Sequence, residues 1–374
     1  MAETRSETEP RGGGRRESVE IGDIPARGRG SNQNPAGRFE KFNHEPESEA
    51  FDPEVPAPRT QFLRDSSRSI LTPNDSPDIP YNLGLNPYRG CEHGCAYCYA
   101  RPYHEYLGFS SGLDFETRIL VKEDAPELLR EELSSPKWRP QVIGLSGVTD
   151  CYQPIERSLR ITRRCLEVLA EFRNPVTLVT KNRLVARDSD LLGELAGHRA
   201  AAVYLSITTL DPKLVQVLEP RTSRPEARLD AIRTLSRAGV PVGVMVAPVI
   251  PGLTDHEMPT ILKHAAEAGA RFAAYIPLRL PLAVADLFEH WLTLHFPDRK
   301  EKVLNRVRAM RGGSLNDTAF HRRMRGDGLL AEQLNKVFKM ARRKAGIGEA
   351  RAELSTDSFR APGPVQGRLF DWDI

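Results

Sequence analysis

The sequence predicts an α/β protein: a partial (β/α)6 TIM-like barrel with a C-terminal helical extension and a disordered N-terminal tail. Three observations predict it. Short β-branched runs that do not alternate with polar residues recur between positions 81 and 280, as strands buried on both faces do. Amphipathic stretches separate them at intervals of roughly 30 to 40 residues, the rhythm of βαβ units whose right-handed crossovers curl a parallel sheet toward a barrel. The chain has 374 residues, enough for a barrel of about 250 residues with appendages.

Residues 1–60 are rich in Gly, Pro, Arg, Glu and Ser without periodicity, a composition that buries too little surface to offset ordering. They are expected to be disordered. Within them, GRGSNQNPAGRFE (28–40) is either a motif that docks on the body or on nucleic acid, or a solvated leader, and composition favours the leader.

The barrel is assigned to 61–281. Its strands are YNLGLN (81–86), QVIGLS (141–146), VTLVT (176–180), AVYLSI (202–207), PVGVMVA (241–247) and FAAYIPL (272–278), giving six units with chemistry expected at the C-terminal strand ends. Asp124 with Glu127 and Thr254 with Glu257 have capping-box spacing and predict helix starts. Ile161, Cys165 and Leu169 recur at i, i+4 and i+8, which places Cys165 in the core.

Residues 282–350 read as a basic helical extension. Between Arg299 and Lys344 there are fourteen Lys or Arg against four Asp or Glu, which predicts phosphate contacts and a nucleic-acid partner through 299–344. The C-terminal tail is assigned to 351–374. Its QGRLF stretch, through Gln366, Leu369 and Phe370, resembles the short peptide that replication and repair proteins insert into the sliding clamp. The alternative is a tail folded back through Leu369, Phe370 and Trp372.

Bulk charge excludes little, since 53 basic residues nearly cancel 50 acidic ones. Five cysteines without an even-numbered framework argue against a disulfide scaffold. No stretch reaches the roughly 18 apolar residues of a membrane span, so a reducing cytoplasmic setting is expected.

Three of the cysteines fall in CEHGCAYCY (91–99), directly after the first barrel strand. Cys91, Cys95 and Cys98 have the spacing C-x3-C-x2-C, and three thiolates on one tight loop can converge on one centre with a coordination position left open. Three readings compete. A 4Fe–4S cluster uses three thiolates, a zinc site recruits His93 as fourth ligand, and a redox dithiol uses Cys95 and Cys98 alone.

The pattern C-x3-C-x-aromatic-C, matched by Cys91, Cys95, Tyr97 and Cys98, resembles the radical S-adenosylmethionine (radical SAM) enzymes, and the resemblance covers about 81–280. It implies a 4Fe–4S cluster on the three cysteines. It also implies S-adenosylmethionine chelated to the open iron and cleaved reductively to a 5′-deoxyadenosyl radical, with electrons from a donor such as flavodoxin or ferredoxin. On this resemblance Tyr97 lies beside the adenine, Ser146, Thr149, Asp150 and Ser206 are cofactor contacts at successive strand ends, and Lys181 faces the cofactor carboxylate.

Within that superfamily CAYCYA, GVTD and TKN are most similar to spore photoproduct lyase and the bacterial proteins grouped with it, which implies repair or modification of a nucleic-acid base. In the lyase a cysteine three residues before the aspartate returns a hydrogen atom to the thymine radical. Here that place is Gly147, which leaves Cys151 as candidate hydrogen donor and Tyr99 as relay. Radical chemistry on a small molecule or protein is the alternative. From another class, the chain could be a non-catalytic, zinc-stabilised nucleic-acid-binding protein using Cys91, His93, Cys95 and Cys98.

Overall fold

The computed structural model describes residues 28–39 and 59–361. In chain order the strands are β1 (Gln61–Arg64), β2 (Leu71–Pro73), β3 (Leu83–Leu85), β4 (Tyr88–Arg89), β5 (Arg118–Val121), β6 (Ile143–Leu145), β7 (Val176–Thr180), β8 (Ala201–Ser206), β9 (Val242–Val249) and β10 (Phe272–Pro277). Six of them, β3, β6, β7, β8, β9 and β10, pair in chain order and all in parallel. These are the six predicted barrel strands, and the sheet they form stays open. β2 adds antiparallel to β3 at one edge.

The packing follows from the residues. β-branched and leucine side chains of the parallel strands, such as Ile143, Val176, Leu178, Val203 and Val242, are fully buried beneath the helices. Each such side chain contributes about 1.5–3 kcal/mol on burial. The helix Ile161–Phe172 lays Ile161, Cys165 and Leu169 on that core, as the spacing predicts.

Both capping boxes are corrected. Asp124 is the N-cap of the helix Ala125–Ser134 but its side chain accepts no capping bond and instead pairs with Arg64. Thr254 Oγ1 accepts from Ile250 N–H, and Glu257 holds Thr209 and Leu210, so the helix Met258–Glu267 begins without a box.

Two features depart from the favoured sequence reading. β1, β5 and β4 make a separate small sheet beside the cysteine loop. Residues 28–39, assigned to a disordered tail, are docked on the body: Leu113 N–H donates to Gln33 O at 2.8 Å, Asn34 and Asp114 bond reciprocally, and Arg38 pairs with Glu105. Buried peptide groups met by partners on the body outweigh the polar composition that favours solvation.

In the extension, the helix Gly328–Lys344 buries Ala331, Leu334 and Phe338, with the Phe338 ring 4.7 Å from that of Tyr275 on β10. The next stretch returns across the barrel, where Ser355 N–H donates to Arg199 O and Arg360 N–H to Phe172 O. Gln366, Leu369, Phe370 and Trp372 lie outside the described residues. Among the described residues no helix is long and apolar enough to cross a membrane.

Candidate cofactor and active site

The cysteine loop starts where β4 ends. Gly90 and Gly94, with φ of 81° and 64°, take the left-handed turns that let it double back. Its backbone is fixed from three directions: Cys91 N–H donates to Phe115 O at 2.8 Å, Ala96 N–H to Leu218 O at 3.0 Å, and Arg221 N–H to His93 O at 3.3 Å. Side chains add to this. Gln153 accepts from Glu92 N–H at 2.9 Å, and the Glu92 carboxylate pairs with Arg221 at 2.9 Å. Fully buried Arg101 donates twice to Cys95 O, at 3.1 and 3.0 Å, and pairs with equally buried Glu116.

Cys91, Cys95 and Cys98 carry free thiols. Burial pushes all three upward in pKa; after burial, Asp150 and the other two thiols raise Cys91 further, and Glu219 and Cys98 raise Cys95. His93 does not join them: its Nδ1 lies 3.3 Å from Asp150 Oδ2 and its Nε2 lies 3.4 Å from the Asn182 amide. Among the described residues no three or more His, Cys, Asp or Glu side chains are grouped to hold a single metal ion. With His93 engaged elsewhere the zinc reading lacks its fourth ligand, whereas three soft thiols on one loop are the donor set of an iron–sulfur cluster.

Beside the loop, Lys181 at the end of β7 donates to Ser206 Oγ at 2.6 Å and to Ala247 O at 2.9 Å, and lies 3.6 Å from Glu219. Its Nζ is 5.7 Å from the centre of the Tyr97 ring, while the Tyr97 hydroxyl bonds Glu219 and lies 3.1 Å from Thr208 Oγ1. Glu219 and Arg228 form a fully buried ion pair. Burial works to raise the Glu219 pKa, but Arg228 and Lys181 overcome it and hold the carboxyl well below the usual range. Tyr97, Lys181 and Ser206 are thus brought together as the sequence predicts. Glu219, Arg228 and Thr208 escaped sequence reading because a Glu, an Arg and a Thr in polar loop text look like surface residues.

The GVTD turn is held by its own network of hydrogen bonds. Ser146, at φ 77°, donates to Thr149 O at 2.7 Å and accepts from Cys151 N–H at 2.9 Å. Thr149 donates to Tyr88 O at 2.7 Å. Asp150 accepts from Thr180 Oγ1, Lys181 N–H and Tyr152 N–H at 2.7, 2.8 and 2.9 Å. These three residues tie strand ends to the cysteine loop through His93. Cys151 is 0 % exposed and sits in the main core near Glu156 and Asp188, directly after Asp150, whose backbone hydrogen-bonds Cys91.

Tyr99 does face outward, 41 % exposed, with its hydroxyl donating to Gly147 O at 2.6 Å. Around it lie Tyr81, Tyr103 and Arg279, which the sequence analysis missed. The Arg279 guanidinium stands 4.7 Å over the Tyr99 ring and makes no hydrogen bond or ion pair among the described residues. Tyr81 closes over β6: a Cβ on Gly144 would fall 2.1 Å from its ring, and one on Gly147 3.3 Å from its hydroxyl. The only sequence signal for Arg279 was its place just beyond the sixth strand.

Residues 85–265 match the family model of the radical SAM superfamily. An uncharacterised protein of Mycobacterium tuberculosis is 37% identical over 222 residues, which cover 59% of this chain and 65% of that relative. This chain therefore spans less than two thirds of the relative's length. An archaeal protein of Methanocaldococcus jannaschii is 28% identical over 249 residues, covering 67% of this chain and 89% of the relative. Spore photoproduct lyase complexed with dinucleoside spore photoproduct shares the fold at a TM-score of 0.52 and 16% identity, with 76% of this chain and 78% of that one covered. The radical SAM family carries a 4Fe–4S cluster and S-adenosylmethionine, to which the thiols and the Lys181 network conform.

Proposed function

We propose that this chain is a radical SAM enzyme that acts on nucleic acid, repairing or modifying a base as its spore photoproduct lyase-like fold suggests. In this reading Cys91, Cys95 and Cys98 hold the 4Fe–4S cluster, and Tyr97, Lys181 and Ser206 line the S-adenosylmethionine side. When bound, these groups supply reductive cleavage of S-adenosylmethionine and a carbon radical that abstracts hydrogen. The chain's own residues do the positioning. Arg101 and Glu92 fix the loop, Asp150 joins it to the strand ends, and Lys181 offers its ammonium to the cofactor carboxylate. A small redox protein such as flavodoxin or ferredoxin delivers the electron.

The observation that carries the substrate class is the face formed by Tyr81, Tyr99, Tyr103 and Arg279. Flat aromatic rings beside a cation that makes no ion pair among the described residues are what stacked bases and a phosphate require. The reading is supported by a solved spore photoproduct lyase holding a dinucleoside photoproduct. It is also supported by a relative from Pseudomonas phage M6, named a radical SAM Nα-GlyT isomerase, that is 29% identical over 174 residues, 46% of this chain and 34% of that one.

Two measurements test the proposal. The anaerobically reconstituted protein should form 5′-deoxyadenosine from S-adenosylmethionine, and it should bind a labelled single-stranded oligonucleotide with affinity that falls as salt rises. Cleavage without oligonucleotide binding at low salt would transfer the reading to a small-molecule or protein substrate. No iron uptake would end it.

A further inference from the structure

The radical SAM domain spans 85–265, yet the docked segment 28–39 lies well upstream of it and reaches the cysteine loop. Arg29 donates to Glu116 O at 2.9 Å and to Thr60 Oγ1 at 3.1 Å. Gly30 N–H donates to Glu116 Oε2 at 3.0 Å. The other oxygen of that buried carboxylate pairs with Arg101, whose guanidinium donates to Cys95 O. A continuous buried chain thus runs from the Gly30 peptide through Glu116 and Arg101 to the backbone of the middle cysteine. On a second route, Thr60 also accepts from Arg221, the partner of Glu92 in the loop.

The approach is as close as a backbone allows. A Cβ added to Gly30 would lie 1.6 Å from Gly94 O, between Cys91 and Cys95. Further along, a Cβ on Gly112 would lie 1.9 Å from Gln33 O, so the body is shaped to take the segment at two points. Ser31, Asn32 and Gln33 are buried despite their polarity, against the helix Val284–His295. Polar residues buried with their peptide groups satisfied mark a built contact, not an incidental one.

We propose that residues 28–39 are a clasp that holds the cysteine loop in the shape that retains the iron–sulfur cluster and shuts solvent away from its Cys95 side. The proposal rests on the reading that the three cysteines carry the cluster. Gly30, Gly112, Arg29 and Glu116 act as positioning residues through Arg101 and Gly94. Coupling of this kind is reciprocal: if the clasp stabilises the loaded loop, loading must stabilise the clasp.

The test uses the full chain, reconstituted without oxygen, and has two readouts that do not depend on activity. In the wild type, hydrogen exchange of the amides in 28–39 is compared before and after cluster loading, and loading should slow it. In Gly30→Val and Gly112→Val, which push the clasp off from opposite sides, a chelator should strip iron at least about tenfold faster than from the wild type, since loss then proceeds from the opened state. Arg29→Ala, which removes two bonds without a steric clash, should show a smaller increase in the same direction and covers the case that a valine variant fails to fold. Unchanged clasp exchange on loading, or wild-type iron loss from folded variants whose clasp exchange has become fast, overturns the clasp while leaving the cluster reading intact. A wild-type chain that takes up no iron overturns both.

Discussion

The cysteine loop and the basic extension are both regions where the sequence points to a ligand, and the structure treats them oppositely. In the loop, Cys91, Cys95 and Cys98 form no disulfide, and the backbone around them is held by Arg101 and Gln153. In the extension, most of the cations nearest the barrel face are already engaged. Arg322 pairs with Asp317, Arg323 with Asp78, Arg306 with Asp255, and Arg311 is buried against the carbonyls of Pro277, Leu278 and Arg323. Spacing constrains geometry, so a motif survives folding as a site. Composition does not say which charges will find partners within the chain, so a basic segment does not by itself make a phosphate site.

The sharpest way to break this contrast is at the thiols. Cys91→Ala, Cys95→Ala or Cys98→Ala should each abolish cluster binding, whereas Cys165→Ala and Cys151→Ala should keep it, as iron and sulfide analysis of reconstituted protein would show. A cluster lost with Cys151 would place that residue in the site.

Next in size is Glu219→Gln, which leaves Arg228 buried without its counter-charge and should cost about 3–5 kcal/mol in urea unfolding of the apoprotein. The same pair sets a pH dependence. Because the folded carboxyl is held below its unfolded value, its stabilisation is present above about pH 4 and is lost as pH falls toward the folded value. The urea midpoint of Glu219→Gln should accordingly depend less on pH in the acid range than that of the wild type. Equal slopes would mean that other carboxylates dominate.

Lys181→Ala should weaken S-adenosylmethionine binding by about 1.5–3 kcal/mol, the range for a hydrogen bond to a charged group, while iron content stays unchanged in calorimetric titration of the loaded protein. Unaltered affinity would make Lys181 a strut for Ser206 and Ala247.

The comparison itself is sharpened by the two smallest effects. Arg279→Ala should weaken oligonucleotide binding by about 1 kcal/mol and shallow its salt dependence. Lys336→Glu with Lys339→Glu, on the exposed side of the helix Gly328–Lys344, should shift it by no more than about 0.5 kcal/mol. Reversal of that order in fluorescence anisotropy would reinstate the extension as the phosphate-binding region.

Much of this molecule is legible in its sequence because two periodicities and one spacing are enforced by geometry. Five of the six parallel strands lie where unalternating apolar runs place them, the first lies within YNLGLN, and Ile161, Cys165 and Leu169 lie where helical repetition puts them. Tyr97, Lys181 and Ser206 converge because strand ends in a parallel sheet do. What escaped was decided by contacts between distant parts of the chain. Residues 28–39 have no periodicity, and contacts with Gly94, Glu105, Leu113, Asp114 and Glu116 give them a place. Glu219 and Arg228 each look solvated until they are paired. Cys151 directly follows a site aspartate, but the left-handed turn at Ser146 goes with a thiol that is buried in the core. The capping boxes failed because the glutamates and threonine had better partners elsewhere.

Arg311 carries one more consequence. Its guanidinium donates to three carbonyls, two of them at the end of β10, and burial together with Arg279 lowers its pKa to about 10, so it remains a cation at neutral pH. It works as a rivet between the last strand and the helices that follow, and the segment bearing Arg279 begins directly after Leu278, whose carbonyl it holds. The extension is therefore not a detachable module that evolution or an engineer could trade for another. A hybrid that joins this barrel to a foreign C-terminal part at residue 282 would lose that fastening and also the helix Val284–His295, which packs with Cys95, Ala96 and Tyr97 of the cysteine loop.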